Sequence, residues 1–468
     1  IIRSFLLIRE RCRIIPVNMN HDFTLMALTI FLITISIILK YRRESSSSER
    51  ILLAILLLGF LFRMIIGVLI NIPDMMPVLY IADHQTYQEY ASNIIKGVWP
   101  LDRSAPIINY AWLLSRFYVL LGEVPFTATV LSGLIGTIVI WNIYRTVELL
   151  ADRAAAALVA GISAIMPSVV FVTSQTVRDP IIFLLLSTIV YWMVRIEIGV
   201  ARRPFILGAG SLIFTFFLSY FRPHQRTLIL CAFVIVGVFT FFWSRTRPRV
   251  SAYCLRSMGL IAICLLVWNP GFLGTAYLRL IDPTSNFFQS LHHQRLLFVY
   301  PKDAKAFNNM KLKRRLELEL KKRLELEGIT GGLGIETIPP SGTTIEFSLT
   351  SDNSLSQFIL RLPIRALSYL FSPFPWQIET SFIKVAVLEN LVFYVLFFAG
   401  LCWLPFFSRT HLPKSYFILI YLLLTIMIYG VAHSNVGTGY RHRMQFIWLL
   451  YIPGAAFLSF YLRKVIQR

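Results

Sequence analysis

The stretch ILLAILLLGFLFRMIIGVLI, residues 51–70, decides the fold class. It runs for 20 residues with one charge, Arg63. At ~1.5 Å of rise per residue such a helix covers about 30 Å, the thickness of a bilayer's hydrocarbon core. The same pattern recurs along the chain, at 23–39, 51–72, 125–143, 154–173, 180–194, 204–221, 227–243, 257–275, 385–405, 415–433 and 445–462. AVILMFWYC residues make up 56% of the 468 positions and charged residues only 15%, too few to clothe a water-soluble protein of this size. The expected fold is an all-α polytopic membrane protein with about 11 transmembrane helices and amphipathic helices in its outer loops.

The spans divide the chain into a segment at 1–22, a transmembrane region at 23–275 with an outer loop at 73–124, a long outer loop at 276–380, and a transmembrane region at 381–468. Residues 1–18 differ in character from the rest of the chain, and Met19 directly precedes a hydrophobic run. The segment reads either as a leader before a natural start at Met19 or as a peripheral flap. Within the long loop, KLKRRLELELKKRLELE at 311–327 has ion pairs at i,i+4 and reads as a solvated or interfacial helix. The five cysteines show no disulfide framework and no zinc spacing.

The formal charge of +21 would, in a soluble chain, point to nucleic acid. One set of alternate loops (40–50, 144–153, 195–203, 244–256, 408–414 and 463–468) carries 18 Lys and Arg against 5 acids, a net +13, and marks the cytoplasmic side. The remaining charge is dispersed, without a basic stripe interleaved with aromatics, so nucleic acid is excluded as a partner. Membrane lipids are the expected surroundings.

On the opposite side the unusual polar residues gather. Asp83 opens DHQTYQEYASNIIKG, in which Tyr87, Tyr90, Ala91, Ile94 and Ile95 recur at helical spacing, so the segment reads as an amphipathic helix on the membrane surface with Asp83 at its start. There Asp83 either caps the helix or acts as a general base. Arg178, Asp179 and Pro180 stand between two apolar helices, either as a well-made helix start or as a site for a phosphate, a metal or a sugar hydroxyl. RPHQR at 222–226 supplies Arg222, His224 and Arg226, and GTGYRHR at 437–443 supplies Tyr440, Arg441 and Arg443. Such clusters snorkel to headgroups or grip a phosphate with bidentate guanidinium donors. Arg63 and Arg116 are candidate buried charges, and Glu389 with Lys384 a candidate intramembrane pair. FSPFPW at 371–376 reads as an aromatic interfacial anchor or as a surface that stacks on a sugar. His292 and His293 are adjacent, a spacing that does not aim both imidazoles at one metal.

The order of these features resembles the GT-C superfamily of integral membrane glycosyltransferases, in particular the bacterial branch similar to protein O-mannosyltransferases and the aminoarabinose transferase of lipid A. The carriers are the Asp83 loop, APIINY and FYVLLG after it, AAALVAGISAIMPS, the Arg178–Asp179–Pro180 turn and GTGYRHR before a last helix, over residues 51–465. The resemblance implies an inverting transfer of a sugar from a polyprenyl phosphate or diphosphate donor to a hydroxyl of a glycan, lipid or protein acceptor, on the outer face of a prokaryotic plasma (inner) membrane. It implies Asp83 as the base or acceptor-positioning acid, Asp179 as a second acid, and Arg441 and Arg443 as ligands of the donor phosphate. It allows a divalent ion, Mg or Mn. The chain departs from the family pattern in having His84 after Asp83, an extra helix at 23–39, and a loop of about 100 residues in place of a folded external domain. A polymerase or ligase of lipid-linked repeat units, and a transporter or flippase of lipid-linked sugars, are the alternative readings.

Overall fold

The computed structural model describes residues 47–71, 78–98, 106–121, 125–242, 249–267, 355–374, 381–403, 415–432 and 436–466. Every regular element among them is a helix. The expected span at 23–39, the helix at 311–327 and the His292–His293 pair lie outside the described residues. The chain divides into two compact units, residues 1–141 with 173–181, and residues 142–172 with 182–468.

The first unit contains α1 (Ser47–Asn71), α2 (Val78–Ile95), α3 (Pro106–Leu121) and the part of α4 (Pro125–Leu150) up to Trp141. Small residues let α1 approach α4. A Cβ added at Gly67 would strike the Thr129 side chain, one at Gly133 the Met64 side chain, and one at Gly136 the side chains of Arg63 and Thr173. The spacing of Tyr87, Ala91 and Ile94 does mark the apolar face of α2, and all three are buried. That face packs on α3, with Tyr87 edge-on to Tyr110 at 5.0 Å between ring centroids.

The second unit holds the end of α4, then α5 (Arg153–Ile165), α6 (Pro167–Ser174, as far as Val172), α7 (Asp179–Ile198, from Ile182), α8 (Pro204–Phe221), α9 (Pro223–Phe242), α10 (Arg249–Val267), α11 (Leu355–Phe371), α12 (Ser381–Trp403), α13 (Tyr416–Ala432), α14 (Val436–Arg443) and α15 (Ile447–Ile466). Asn142 of α4 donates to Ser187 and Thr188 of α7 at 3.1 and 2.9 Å. Asp152 caps α5, accepting from the amides of Ala154 and Ala155, and also takes the Ser459 hydroxyl and the Arg463 guanidinium of α15. Glycines face each other where helices come closest: Gly237 against Gly259 between α9 and α10, and Gly400 against Gly454 between α12 and α15. Glu197 receives the Ser415 hydroxyl at 2.8 Å and the Phe417 amide at 3.1 Å, satisfying the start of α13.

Among the described residues six helices are long and apolar enough to cross a membrane, or seven if the bent pair α5 and α6 forms one span. The protein is therefore an all-α membrane protein. The expected span at 154–173 is not continuous: it breaks at Met166–Pro167 with a bend of 58°. Pro167 lacks an N–H to continue the ladder and opens a new helix, where proline is at ease. The expected spans at 415–433 and 445–462 match α13 and α15, while that at 257–275 overlaps α10 only over 257–267, α10 starting at Arg249 and residues 268–275 lying outside the described residues; all three are helices that fall short of the length or apolarity of the other six. Within 276–380, read as loop, residues Leu355–Phe371 form α11.

Candidate functional site

The acids belong to the first unit. Asp83 was expected at a helix start, but α2 begins at Val78, which places Asp83 in its second turn and removes the capping reading. Its side chain is outside the described residues. Residues 175–178 form the bend that joins α6 to α7, and Asp179 is the first residue of α7 with Pro180 second. Asp179 is 1% exposed and Arg178 half-buried. Burial pushes the Tyr110 phenol well above its ordinary pKa, opposed by a hydrogen bond from Ser132; the charges of Tyr87, Tyr118 and Asp179 add to the upward push. A protonated phenol thus stands within electrostatic reach of the Asp179 carboxylate.

His84 links α2 to that bend. Its Nδ1 accepts the Thr176 backbone N–H at 2.7 Å. Its Nε2 lies 3.4 Å from Asn71 Oδ1 and 3.2 Å from the Gln88 amide, which also reaches Thr176 Oγ1 at 3.4 Å. Burial pulls the His84 pKa down to about 4, so the ring is neutral at pH 7. Arg63, in α1, is fully buried and donates to Thr173 Oγ1 at 2.8 Å and to the Gly59 carbonyl at 2.7 Å.

The basic residues belong to the second unit. RPHQR is not a loop: Arg222 follows α8, and Pro223 to Arg226 are the first turn of α9, which has no acid there. Nor is GTGYRHR a loop, since it forms most of α14. Arg222 is 3% exposed and donates to Gln445 Oε1 at 3.2 Å. His224 Nε2 is 3.0 Å from the Tyr429 phenol oxygen, which also accepts from Gln225 Nε2; Gln225 Oε1 in turn accepts from Tyr421. The His442 ring lies 5.1 Å from Tyr429 and 6.2 Å from His224. Arg226 is half-buried, and its Nε is a buried atom with no hydrogen-bond acceptor.

Arg443 is 1% exposed and its fork is turned into the protein. Nη1 donates to the Leu370 carbonyl and, at 2.7 Å, to the Ser372 carbonyl, while Nη2 donates to Asn390 Oδ1 at 2.5 Å. Its guanidinium also lies 4.8 Å over the Tyr440 ring, so Tyr440 serves the arginine. Burial pulls the Arg443 pKa below the ordinary arginine value, against the upward pull of Tyr451, Tyr369, Tyr394 and Glu389. With three of its N–H groups committed internally, Arg443 is an organiser of the 370–373 segment, and the expectation that it grips a donor phosphate is corrected accordingly. Arg441 is half-buried.

The expected Lys384–Glu389 pair is not formed. Lys384 is exposed, and Glu389 is 5% exposed and accepts the Ser168 amide at 2.5 Å at the start of α6, with Oε2 lacking a hydrogen-bond partner. Among the described residues no group of three His, Cys, Asp or Glu comes together that could hold the divalent ion the resemblance allows.

The chain matches no known protein family and no curated protein. Sequence reasoning missed Asn390, Tyr429, Gln225 and Gln445, which orient the basic residues, and Thr176, which receives His84. A polar Asn390 beside Glu389 in an apolar run was the one available signal.

Proposed function

We propose that the chain is a GT-C-like membrane glycosyltransferase, which moves a sugar from a polyprenyl phosphate or diphosphate to an acceptor hydroxyl on the outer face of a prokaryotic plasma membrane. In this reading the chain crosses the bilayer up to about 11 times and places its +13 loops in the cytoplasm. The observation that carries it is the start of α9. A helix N-terminus already favours an anion, and here it carries Arg222, His224 and Arg226, with the Arg226 Nε buried and without an acceptor. A phosphate there meets the Arg226 Nε–H and the positive end of the helix together, with Arg222 and His224 held beside it by Gln445 and Tyr429.

The acceptor oxygen attacks the anomeric carbon, the bond from that carbon to the phosphate oxygen breaks, and the acceptor proton passes to a carboxylate. Asp83 fills that role and Asp179 is the second acid. Charge accumulating on the departing phosphate is stabilised by Arg226 and His224, with Arg178 and Arg441 as the remaining candidates and Arg222 holding its place through Gln445. A polymerase or ligase of lipid-linked repeats uses the same chemistry with an oligosaccharide donor.

The test is a reconstituted protein offered a panel of polyprenyl-phosphate-linked and diphosphate-linked sugars, with release of the free lipid phosphate measured. Wild type releases it and Asp83→Asn does not, at preserved thermal stability. Release by Asp83→Asn at the wild-type rate removes the aspartate from the chemistry. A transporter is the second reading, favoured by the broken α5 and α6 pair, since transporters use such discontinuous helices. Movement of an intact lipid-linked sugar across a vesicle, without cleavage, selects it.

A further inference from the structure

His84 departs from the pattern the chain resembles, and its surroundings are over-determined for a residue of no consequence. The Thr176 backbone N–H must donate, so the His84 Nδ1 it meets at 2.7 Å is the bare nitrogen, and the ring proton sits on Nε2. Nε2–H then needs an acceptor. Asn71, the last residue of α1, provides it: its Nδ2 is spent on the Gly67 carbonyl at 2.8 Å and on Thr129 Oγ1 at 3.0 Å, which turns Oδ1 towards His84. Gln88 Nε2, an amide donor 3.2 Å from the same Nε2, cannot accept that proton and is directed to Thr176 Oγ1 at 3.4 Å, so the Thr176 amide sets the tautomer and Asn71 Oδ1 is the acceptor left for it.

The bend so held is buried, with Gln175 4% exposed and Thr176 and Val177 fully covered. Directly after Val177 come Arg178 and Asp179. We propose that His84 is a positioning residue for Asp179: its neutral imidazole, bonded to the Thr176 amide, sets the 175–178 bend from which α7 and its first carboxylate begin. Burial of the ring keeps the Nδ1 lone pair available at neutral pH, in support of the geometry. The consequence for catalysis rests on the reading of Asp179 as a working acid, whereas the effect on the bend does not.

Two substitutions separate the nitrogens. His84→Asn keeps an acceptor close to the place of Nδ1, and His84→Gln moves it out to the place of Nε2. The full chain in lipid nanodiscs is followed by amide hydrogen exchange and by kcat and KM for release of polyprenyl phosphate from the donor panel. His84→Gln should speed exchange within 173–181 by about tenfold or more, the loss of one buried hydrogen bond, and His84→Asn should stay within about twofold of wild type. In turnover, His84→Gln should lower kcat about tenfold at unchanged KM, and His84→Asn should restore it. Unchanged exchange in His84→Gln overturns the proposal whatever the donors do. Faster exchange with wild-type kcat overturns His84 as a positioning residue. If no donor in the panel is turned over, the glycosyltransferase reading fails, and the exchange data alone decide the bend.

Discussion

Replacing Arg443 by alanine discriminates most sharply between a ligand-gripping arginine and a structural one. In the folded chain Arg443, Asn390 and Tyr394 together serve the four consecutive carbonyls of residues 370–373. Arg443 takes Leu370 and Ser372, Asn390 takes Phe371 at 3.1 Å and Pro373 at 2.8 Å, and the Tyr394 hydroxyl reaches Phe371 at 2.6 Å. Arg443→Ala strands the carbonyls of 370 and 372 and Asn390 Oδ1. Each buried acceptor left without a donor costs about 1–3 kcal/mol. Partial relief by Asn390 rotating or water entering brings the sum to about 3–6 kcal/mol. With roughly 2–4 °C lost per kcal/mol in a large domain, the apparent Tm should fall by about 6–24 °C. Lysine, which brings one nitrogen where two are needed, should recover only part of the loss. Thermal unfolding at a fixed scan rate, beside binding of a short-chain polyprenyl phosphate, measures both sides. An Arg443→Ala protein within about 2 °C of wild type, but binding the phosphate about tenfold more weakly, would refute the internal role.

Other substitutions draw on the same packing. His84 gives a pH dependence: its folded pKa of about 4 lies below the ordinary 6.5, so the unfolded chain binds a proton that the folded one refuses. Stability from this group is present above pH 6.5 and is lost as pH falls towards 4, by about 2 kcal/mol between pH 7 and 5; protection of the 173–181 amides should drop about twentyfold over that range, and not at all in His84→Asn. Asp152→Ala removes a cap with two amides and should cost about 1–2 kcal/mol in thermal unfolding, with little added by the exposed Arg463 pair. A Cβ at Gly454 would overlap the Leu396 backbone, so Gly454→Ala should lose about 1–3 kcal/mol or fail to assemble α12 on α15, while Gly161→Ala, which meets nothing within 4 Å in the middle of α5, should be neutral or gain about 0.5–1 kcal/mol. Arg226→Ala should weaken binding of a polyprenyl phosphate about tenfold at unchanged Tm, as measured by titration in detergent.

The membrane class was legible in residues 51–70 because length and apolarity are local properties. So were α4, α7, α8, α9 and α12, each long and apolar in one run. The break at Met166–Pro167 was written in the sequence too, but the apolar run carries on through it and hides a proline that begins a helix. Asp83 was misplaced within α2 because Val78, Leu79, Tyr80 and Ile81, before the polar DHQ, carry no cap or turn signal that marks a helix start ahead of them. The basic clusters were found by their charge. Which guanidinium is spent inside the fold was not legible, because the acceptors of Arg443 lie 53 to 73 positions away and two of them are backbone carbonyls. Charge is a property of a residue, whereas its availability belongs to the packed neighbourhood.

The carboxyl of Glu389 at the start of α6 has a consequence for how the helix starts of the second unit are served. In the second unit α5, α6 and α13 each arrive with a side-chain carboxyl already supplied by the chain, from Asp152, Glu389 and Glu197, whereas α9 arrives with cations and no acid. Of these four helix starts only α9 is left without a carboxyl from the chain. Neutralising Glu389 would therefore do more than loosen a buried contact: it would leave the positive end of α6 as bare of a carboxyl as that of α9.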